Sequence, residues 1–278
     1  MISRRTLLVT GGAAAVIGGL GTLRAAHGPG LAQARAPWSA AGQSFGDARL
    51  DALAYAILAP NPHNRQPWTF ELVGDRDLVV GIDLERRLPH TDPFDRQITI
   101  GFGCMMELMR IAAAEKGYAV NVEPFPEGAG TPRLDQRPIA RVRFSEANVD
   151  KDPLFQSILD RRSTKEPYDT DRSVAPELLN GVLDAGAGDL NIGSTIDSEQ
   201  TARIVDLAWT GFQIELATDL TRRESGELMR IGNRAVTENP DGIDMGGLQM
   251  GLFKKTGIVS HEALDTPGST AYQAGLDM

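Results

Sequence analysis

The segment from residue 59 to residue 70 constrains the fold more than any other part of this 278-residue chain. Three prolines, Pro60, Pro62 and Pro67, lie within eight positions of one another there. Because proline has no amide donor and biases the residue before it toward extended geometry, a helix cannot continue through the segment. A helical pattern precedes it, and a strand-like pattern beginning at Trp68 follows it. The sequence therefore predicts a rigid corner between a helix and a strand.

This corner is rich in side-chain amides, which both donate and accept hydrogen bonds. Asn61, Asn64 and Gln66 lie between its first and last prolines. The corner is therefore suited to bind a ligand through backbone and side-chain groups. A surface turn rich in proline and asparagine is the alternative interpretation, and composition alone favours that alternative.

The first 36 residues have the pattern of an export signal. The paired Arg4 and Arg5 are typical of a twin-arginine signal, and an apolar run rich in glycine and alanine follows over residues 7–23. Ala32-Gln33-Ala34 and Ala34-Arg35-Ala36 each have the small-x-small pattern of a signal cleavage site. A membrane anchor is the alternative, but a transmembrane helix needs ~20 predominantly apolar residues. We expect export by the twin-arginine machinery to the periplasm or another extracytoplasmic site, without stable membrane insertion after processing.

Composition excludes several classes of function. The net charge is -9 and becomes more negative without the signal, so we expect no nucleic-acid binding. The single cysteine, Cys104, excludes an internal disulfide and a cysteine-rich metal site, and it is interpreted as a structural thiol. The four histidines have no spacing of a known metal motif, so no metal is predicted. Glycine pairs near the N-terminus follow no strand, which argues against a dinucleotide-binding domain.

Periodicity predicts helices and strands in both halves of the chain. A polar, charged stretch over residues 148–153 predicts a linker that divides the mature chain near residue 150. Helical patterns cover residues 49–58, 95–117, 154–159, 174–183 and 198–230, and strand patterns cover 69–73, 78–82, 118–123, 139–144 and 192–196.

A second motif, Arg161-Arg162-Ser163, follows that linker. Two guanidinium groups and a hydroxyl in succession suit a phosphate, because arginine offers a planar fork of donors and serine adds another. Lys165 adds a cation nearby. The alternative is a basic helix end, at which positive charge offsets the helix dipole.

Together the two motifs resemble those of the nitroreductase superfamily of FMN-dependent oxidoreductases. The corner resembles the Pro-Ser-x-x-Asn-x-Gln-Pro-Trp motif of that family, with Asn61 in the place of serine. The residues from Arg161 to Lys165 resemble the Arg-x-Ser segment with which these enzymes hold the FMN phosphate and ribityl chain. In most of the family the Arg-x-Ser segment comes first, whereas here it comes second.

The inverted order resembles an Acg-like branch, in which two nitroreductase units are fused into a pseudo-dimer. The resemblance implies an α+β, nitroreductase-like fold. It also implies three parts: a signal over 1–36, a first unit over 37–150, and a second unit over 151–278 that is incomplete at its C-terminus. One composite FMN site is expected. Its implied contacts are Arg161, Arg162, Ser163 and Lys165 from the second unit, and Pro60, Asn61, Asn64 and Gln66 from the first.

The resemblance implies hydride transfer through bound FMN to a small-molecule acceptor, such as a nitroaromatic or a quinone. Because the flavin carries the chemistry, no catalytic side chain is predicted, and His63 and His90 are expected to be solvated loop residues. Nicotinamide cofactors are cytoplasmic, so the alternative is an exported flavin-binding or sequestering protein with little or no NAD(P)H-driven turnover. A structural protein with a decayed site is the third alternative. Homo-oligomerisation stays open.

Overall fold

The computed structural model describes residues 31–164, 168–186 and 191–276. Within those ranges no helix combines the length and the apolarity that crossing a bilayer requires. Most of the proposed export signal, residues 1–30, lies outside the described residues, and so does Lys165.

The chain divides into two compact units. The larger unit contains the described residues up to Arg161 together with those from Leu220 onward, and the smaller unit contains residues 162–219. The division of the sequence near residue 150, and its pseudo-dimer arrangement, stay predictions.

The larger unit contains a four-stranded antiparallel sheet of strand order β1-β2-β4-β3. Its strands are β1 (Trp68–Val73), β2 (Asp77–Ile82), β3 (Tyr118–Pro124) and β4 (Ala140–Glu146). In β4, Ala140, Val142 and Phe144 are buried, whereas Arg141 and Arg143 are exposed. This alternation has the period of a strand with one buried face, so the apolar half of each strand faces the core.

Two helices precede the sheet in the chain, α1 (Ala36–Ala40) and α2 (Ala48–Ala56), and α3 (Arg96–Glu115) lies between β2 and β3. In α3 the buried Ile98, Phe102, Met105 and Met109 recur at helical spacing, which gives the helix one apolar stripe. The helix ends before Gly117, which has a φ of +79°. Glycine adopts this left-handed conformation without steric cost, so it is a common residue just beyond a helix.

One hydrophobic core joins α2, α3 and the sheet. Leu78 and Val80 of β2 are fully buried in it, with 0% exposure. Cys104 is half-buried and packs against this core, as a structural thiol does. The antiparallel sheet with helices packed against it gives a mixed α and β fold, which is consistent with a nitroreductase-like architecture.

The rest of the larger unit is a run of short elements with a small core of its own, around Ile231, Val259 and Ala271. Its two short strands pair in parallel. The smaller unit contains two helices, α4 (Pro176–Gly186) and α5 (Ser198–Ala217). The elements that follow them in the chain are α6 (Asp219–Leu228), β5 (Met229–Ile231), α7 (Asn233–Glu238), β6 (Ile243–Met245), α8 (Leu248–Lys255), α9 (His261–Asp265) and α10 (Thr270–Leu276).

The sequence patterns were wrong in three places. The helix predicted over 198–230 is two helices, because the chain is extended at Thr218, with φ -85° and ψ 115°, and the last two residues of that range belong to β5. The described residues 191–197 form no strand, although their apolar residues suggested one. The helix predicted over 154–159 is a 3-10 helix, Pro153–Ser157, since its proline start and short length favour a single tight turn.

Candidate functional site

The proline-rich corner connects α2 to β1, as the sequence predicted. It contains a short 3-10 helix, Pro62–Asn64, and three residues with left-handed backbone conformations. His63, Asn64 and Gln66 have φ values of 48°, 50° and 48°. Such a conformation costs a residue other than glycine on the order of 1–3 kcal/mol, and asparagine tolerates it best. The corner therefore keeps this shape only because the surrounding contacts hold it.

Hydrogen bonds within the corner supply part of that support. The Asn61 Oδ1 atom accepts the backbone N–H of Gln66 at 2.7 Å. The Asn61 Nδ2 atom donates to the carbonyl of Ala59 at 3.3 Å, and the Gln66 Nε2 atom donates to Asn64 Oδ1 at 3.0 Å. Asn61, Asn64 and Gln66 thus lie together, and their amides fix the backbone of the corner.

A segment more than 170 residues later in the chain, residues 240–242, holds the corner from the other side. The Gln66 Nε2 atom donates to the carbonyl of Pro240 at 2.9 Å. The backbone N–H of Gly242 donates to the carbonyl of Asn64 at 3.2 Å. Main-chain groups of residues 240–242, which we call the return segment, therefore hold the corner by hydrogen bonds.

Between those two bonds, Asp241 joins three guanidinium groups. Its carboxylate lies 2.9 Å from Arg65, 3.1 Å from Arg86 and 2.9 Å from Arg230, and its side chain is only 14% exposed. Burial alone would raise the pKa of Asp241, but the hydrogen bond from Arg230 and the charges of the three arginines lower that pKa below its usual value. The carboxylate is therefore ionised at neutral pH and joins Arg65 of the corner to Arg86, which follows β2, and to Arg230 of β5.

His63 of the corner is not the solvated loop residue that the sequence suggested. Its Nε2 atom lies 3.0 Å from the hydroxyl oxygen of Ser225, on α6. Burial lowers the pKa of His63, the nearby charge of Arg65 acts in the same direction, and Glu224 opposes it. The imidazole is therefore neutral at neutral pH and forms part of the contact between the corner and α6.

Glu224 anchors a second loop in the same region. Its Oε2 atom accepts hydrogen bonds from the backbone N–H and the hydroxyl of Thr91, both at 2.7 Å. The backbone N–H of His90 also donates to this carboxylate, at 3.3 Å. Helix α6 therefore holds both the corner and the loop that leads into α3.

Helix α3 passes close to the corner at Gly101, a residue that the sequence reasoning missed. A Cβ atom at this position would lie 3.1 Å from the Cβ of Asn61 and 3.6 Å from the carbonyl oxygen of Pro60. A glycine within a predicted helix was itself a sign of such a close contact, since glycine there costs about 1 kcal/mol relative to alanine and often has a packing reason.

Trp68 begins β1 directly after the corner and anchors it in the core. Its ring lies edge-on to Phe102 of α3, with 6.3 Å between the ring centroids, and the residue is 7% exposed. Its indole N–H has no acceptor among the described residues. Buried donors without a partner are rare in folded proteins.

The second motif lies partly beside the corner. Arg161 belongs to the larger unit, and its Nη2 atom donates to the carbonyl of Leu58 at 2.9 Å, two positions before Pro60. Arg162 and Ser163 follow in the chain, open the smaller unit and are exposed. The structure therefore brings Arg161 next to the start of the corner.

Comparison with known proteins supports one family. No family model matches the chain. Over 132 residues the chain is 31% identical to a Mycobacterium tuberculosis protein named "Putative NAD(P)H nitroreductase acg", a match that covers 45% of this chain and 38% of that protein. This similarity supports the nitroreductase family. An uncharacterized protein of the same organism is 29% identical over 126 residues, covering 43% of this chain and 35% of its own length. The matches thus span less than two fifths of these relatives.

Proposed function

We propose that this protein is an FMN-dependent oxidoreductase of the nitroreductase type, which reduces small nitroaromatic- or quinone-like acceptors. The observation that carries the proposal is the preorganised corner, with Arg161 hydrogen-bonded next to its start. The sequence similarity to a protein named as a nitroreductase supports the same conclusion.

The chemistry of these side chains fits FMN. The isoalloxazine ring presents carbonyl and N–H groups, for which the amides and backbone of Pro60, Asn61, Asn64 and Gln66 are suitable partners. The phosphate and ribityl hydroxyls require cationic and hydroxyl donors. We assign these to Arg161, Arg162, Ser163 and Lys165.

Bound FMN would supply the hydride transfer, and the protein would bind and orient it. The corner is suited to orient the ring because hydrogen bonds within it and to residues 240–242 fix its backbone. Arg161, whose guanidinium donates to the carbonyl of Leu58 next to the corner, would supply one of the cationic donors for FMN. No side chain is assigned as a nucleophile or as a proton donor.

A binding experiment tests the assignment of the phosphate. We expect replacement of Arg162 and Ser163 by alanine to weaken FMN binding by about tenfold or more, because charge-assisted hydrogen bonds contribute ~1.5–3 kcal/mol each. FMN fluorescence is titrated with full-length protein from which flavin has been removed.

Arg172→Ala is the matched control for charge. Arg172 is exposed, it follows Arg162 by ten positions, and its loss changes the net charge by the same amount. Equal FMN affinity in the wild type and in the Arg162→Ala, Ser163→Ala variant would exclude these residues as the phosphate site.

The paired Arg4 and Arg5 favour a second function, that of an exported flavin-binding protein with little turnover. NAD(P)H, which the relative's name includes, would then be absent from the protein's compartment. Anaerobic addition of NAD(P)H to flavin-loaded protein separates the two functions. Bleaching of the flavin absorbance supports the reductase, whereas an unchanged spectrum supports the binding protein.

A further inference from the structure

Helix α3 approaches the corner at a glycine. Gly101 is buried, and a Cβ built on it would lie 3.1 Å from the Cβ and 3.5 Å from the Cα of Asn61. Two carbon atoms in favourable contact are ~3.5–4.0 Å apart. A methyl group at position 101 would therefore push the Pro60–Asn61 end of the corner away from the helix by several tenths of an ångström.

The corner cannot absorb such a displacement by moving freely. Asn61 is bound to the backbone of Gln66, and Gln66 is bound to Pro240. The neighbouring Arg65 is bound to Asp241. A displaced Asn61 would therefore lengthen its own bond to Gln66, rather than carry the whole corner with it.

A second glycine of the same helix provides a comparison. Gly103 is exposed, and a Cβ built on it meets nothing within 4 Å among the described residues. Both glycines lie inside α3, where alanine is favoured by about 1 kcal/mol. Only Gly101 has a steric reason to lack a side chain.

We infer that Gly101 is a positioning residue for FMN binding: it sets how closely the Pro60–Asn61 end of the corner lies against α3. The inference rests on the proposed function, because the flavin is the ligand that this position would serve. A side chain at 101 would move the groups that bind the ring, without removing any of them. A misplacement of about 1 Å can cost a catalytic site ~100-fold, so we expect a shift of several tenths of an ångström to have a smaller but measurable effect.

The first experiment needs no flavin. Amide hydrogen exchange at Gln66 reports the bond that its N–H donates to Asn61. In full-length, flavin-free protein we expect Gly101→Ala to accelerate exchange at Gln66 by about tenfold, and Gly103→Ala to leave it unchanged. An unchanged rate in Gly101→Ala would overturn the inference.

The second experiment measures the FMN dissociation constant of the same proteins. We expect Gly101→Ala to bind about tenfold more weakly than the wild type, and Gly103→Ala to bind within about twofold of it. Wild-type affinity in Gly101→Ala overturns the inference. If the wild type itself binds no FMN, the proposed function fails. The exchange rate at Gln66 then still decides whether Gly101 positions the corner.

The thermal midpoints of the flavin-free proteins separate positioning from general damage. We expect Gly101→Ala to keep the far-ultraviolet circular dichroism of the wild type, because alanine favours the helix. If it unfolds instead, Gly101→Ala is measured again in an Asn61→Gly background, which lacks the Cβ that the new methyl group would meet. A much smaller loss of stability from Gly101→Ala in that background supports the contact, and an equal loss in both backgrounds overturns it.

Discussion

Asn61 closes the corner from inside, because its Oδ1 atom accepts the N–H of Gln66 at 2.7 Å. We expect Asn61→Ala to lower the free energy of unfolding by about 1–2 kcal/mol, because the partly buried N–H of Gln66 would lose its acceptor. Urea unfolding of the flavin-free protein measures this change.

Asn61→Asp is the matched variant for this bond. The aspartate keeps an oxygen acceptor of the same reach, and it replaces the donation to Ala59 by a contact between two oxygens. It should lose less stability than the alanine variant. Equal losses in the alanine and aspartate variants would mean that the bond to Gln66 does not stabilise the corner.

His63 makes the stability of the larger unit depend on pH. Its pKa in the folded protein is lowered by burial from the ordinary value of 6.5. As pH falls below that value, the unfolded chain takes up a proton that the folded histidine resists, so unfolding is favoured. We expect the free energy of unfolding to decrease as pH falls from 6.5 toward the lower pKa of folded His63.

His63→Asn is the control for this pH dependence. Asparagine tolerates the left-handed backbone at this position, and it carries no titrating group. Urea unfolding between about pH 5.5 and 7.5 should show a shallower slope in the variant than in the wild type. Identical slopes would assign the dependence to other groups.

At the scale of whole elements, Asp241 is the residue through which the return segment holds the corner by ion pairs. We expect Asp241→Asn to lower the free energy of unfolding by about 2 kcal/mol, because Arg65, Arg86 and Arg230 would then face one another without the carboxylate. The loss should exceed that from a surface ion pair. Because the pKa of Asp241 is lowered, its contribution is present above the usual carboxyl range and disappears as pH falls through that lowered pKa.

The control is Asp135→Asn, which removes an exposed carboxylate bound to Arg137 at 2.7 Å. The pKa of Asp135 is lowered to about 2 by the side-chain hydrogen bond from that arginine. Exposed pairs are screened by solvent, so this variant should unfold close to the wild type. If Asp241→Asn were equally mild, the arginine cluster would not hold the return segment.

The elements that the sequence predicted best are those with a clear apolar period. Helix α3 and strand β4 each bury one periodic set of residues, so their pattern specified both type and position. The break at Thr218 was not predicted, because Leu216 and Leu220 keep helical spacing across it. A pattern of this kind records which residues avoid water, and it does not record where the backbone turns.

Across the whole molecule, the sequence predicted the mixed α and β class, the corner and its position between helix and strand. It could not predict what holds the corner. Arg65 and Asp241 are 176 residues apart in the chain, and no local pattern connects them. The sequence also could not show that the Gln66 N–H donates a hydrogen bond to Asn61, because that bond depends on left-handed backbone angles in the corner.

The visible absorbance spectrum of the purified full-length protein, recorded after exhaustive desalting, is the measurement we would make first. The proposed function predicts a flavin spectrum that survives desalting, or that returns when FMN is added and the excess is removed. A protein that stays colourless after both treatments would contradict FMN binding, and with it the proposed oxidoreductase.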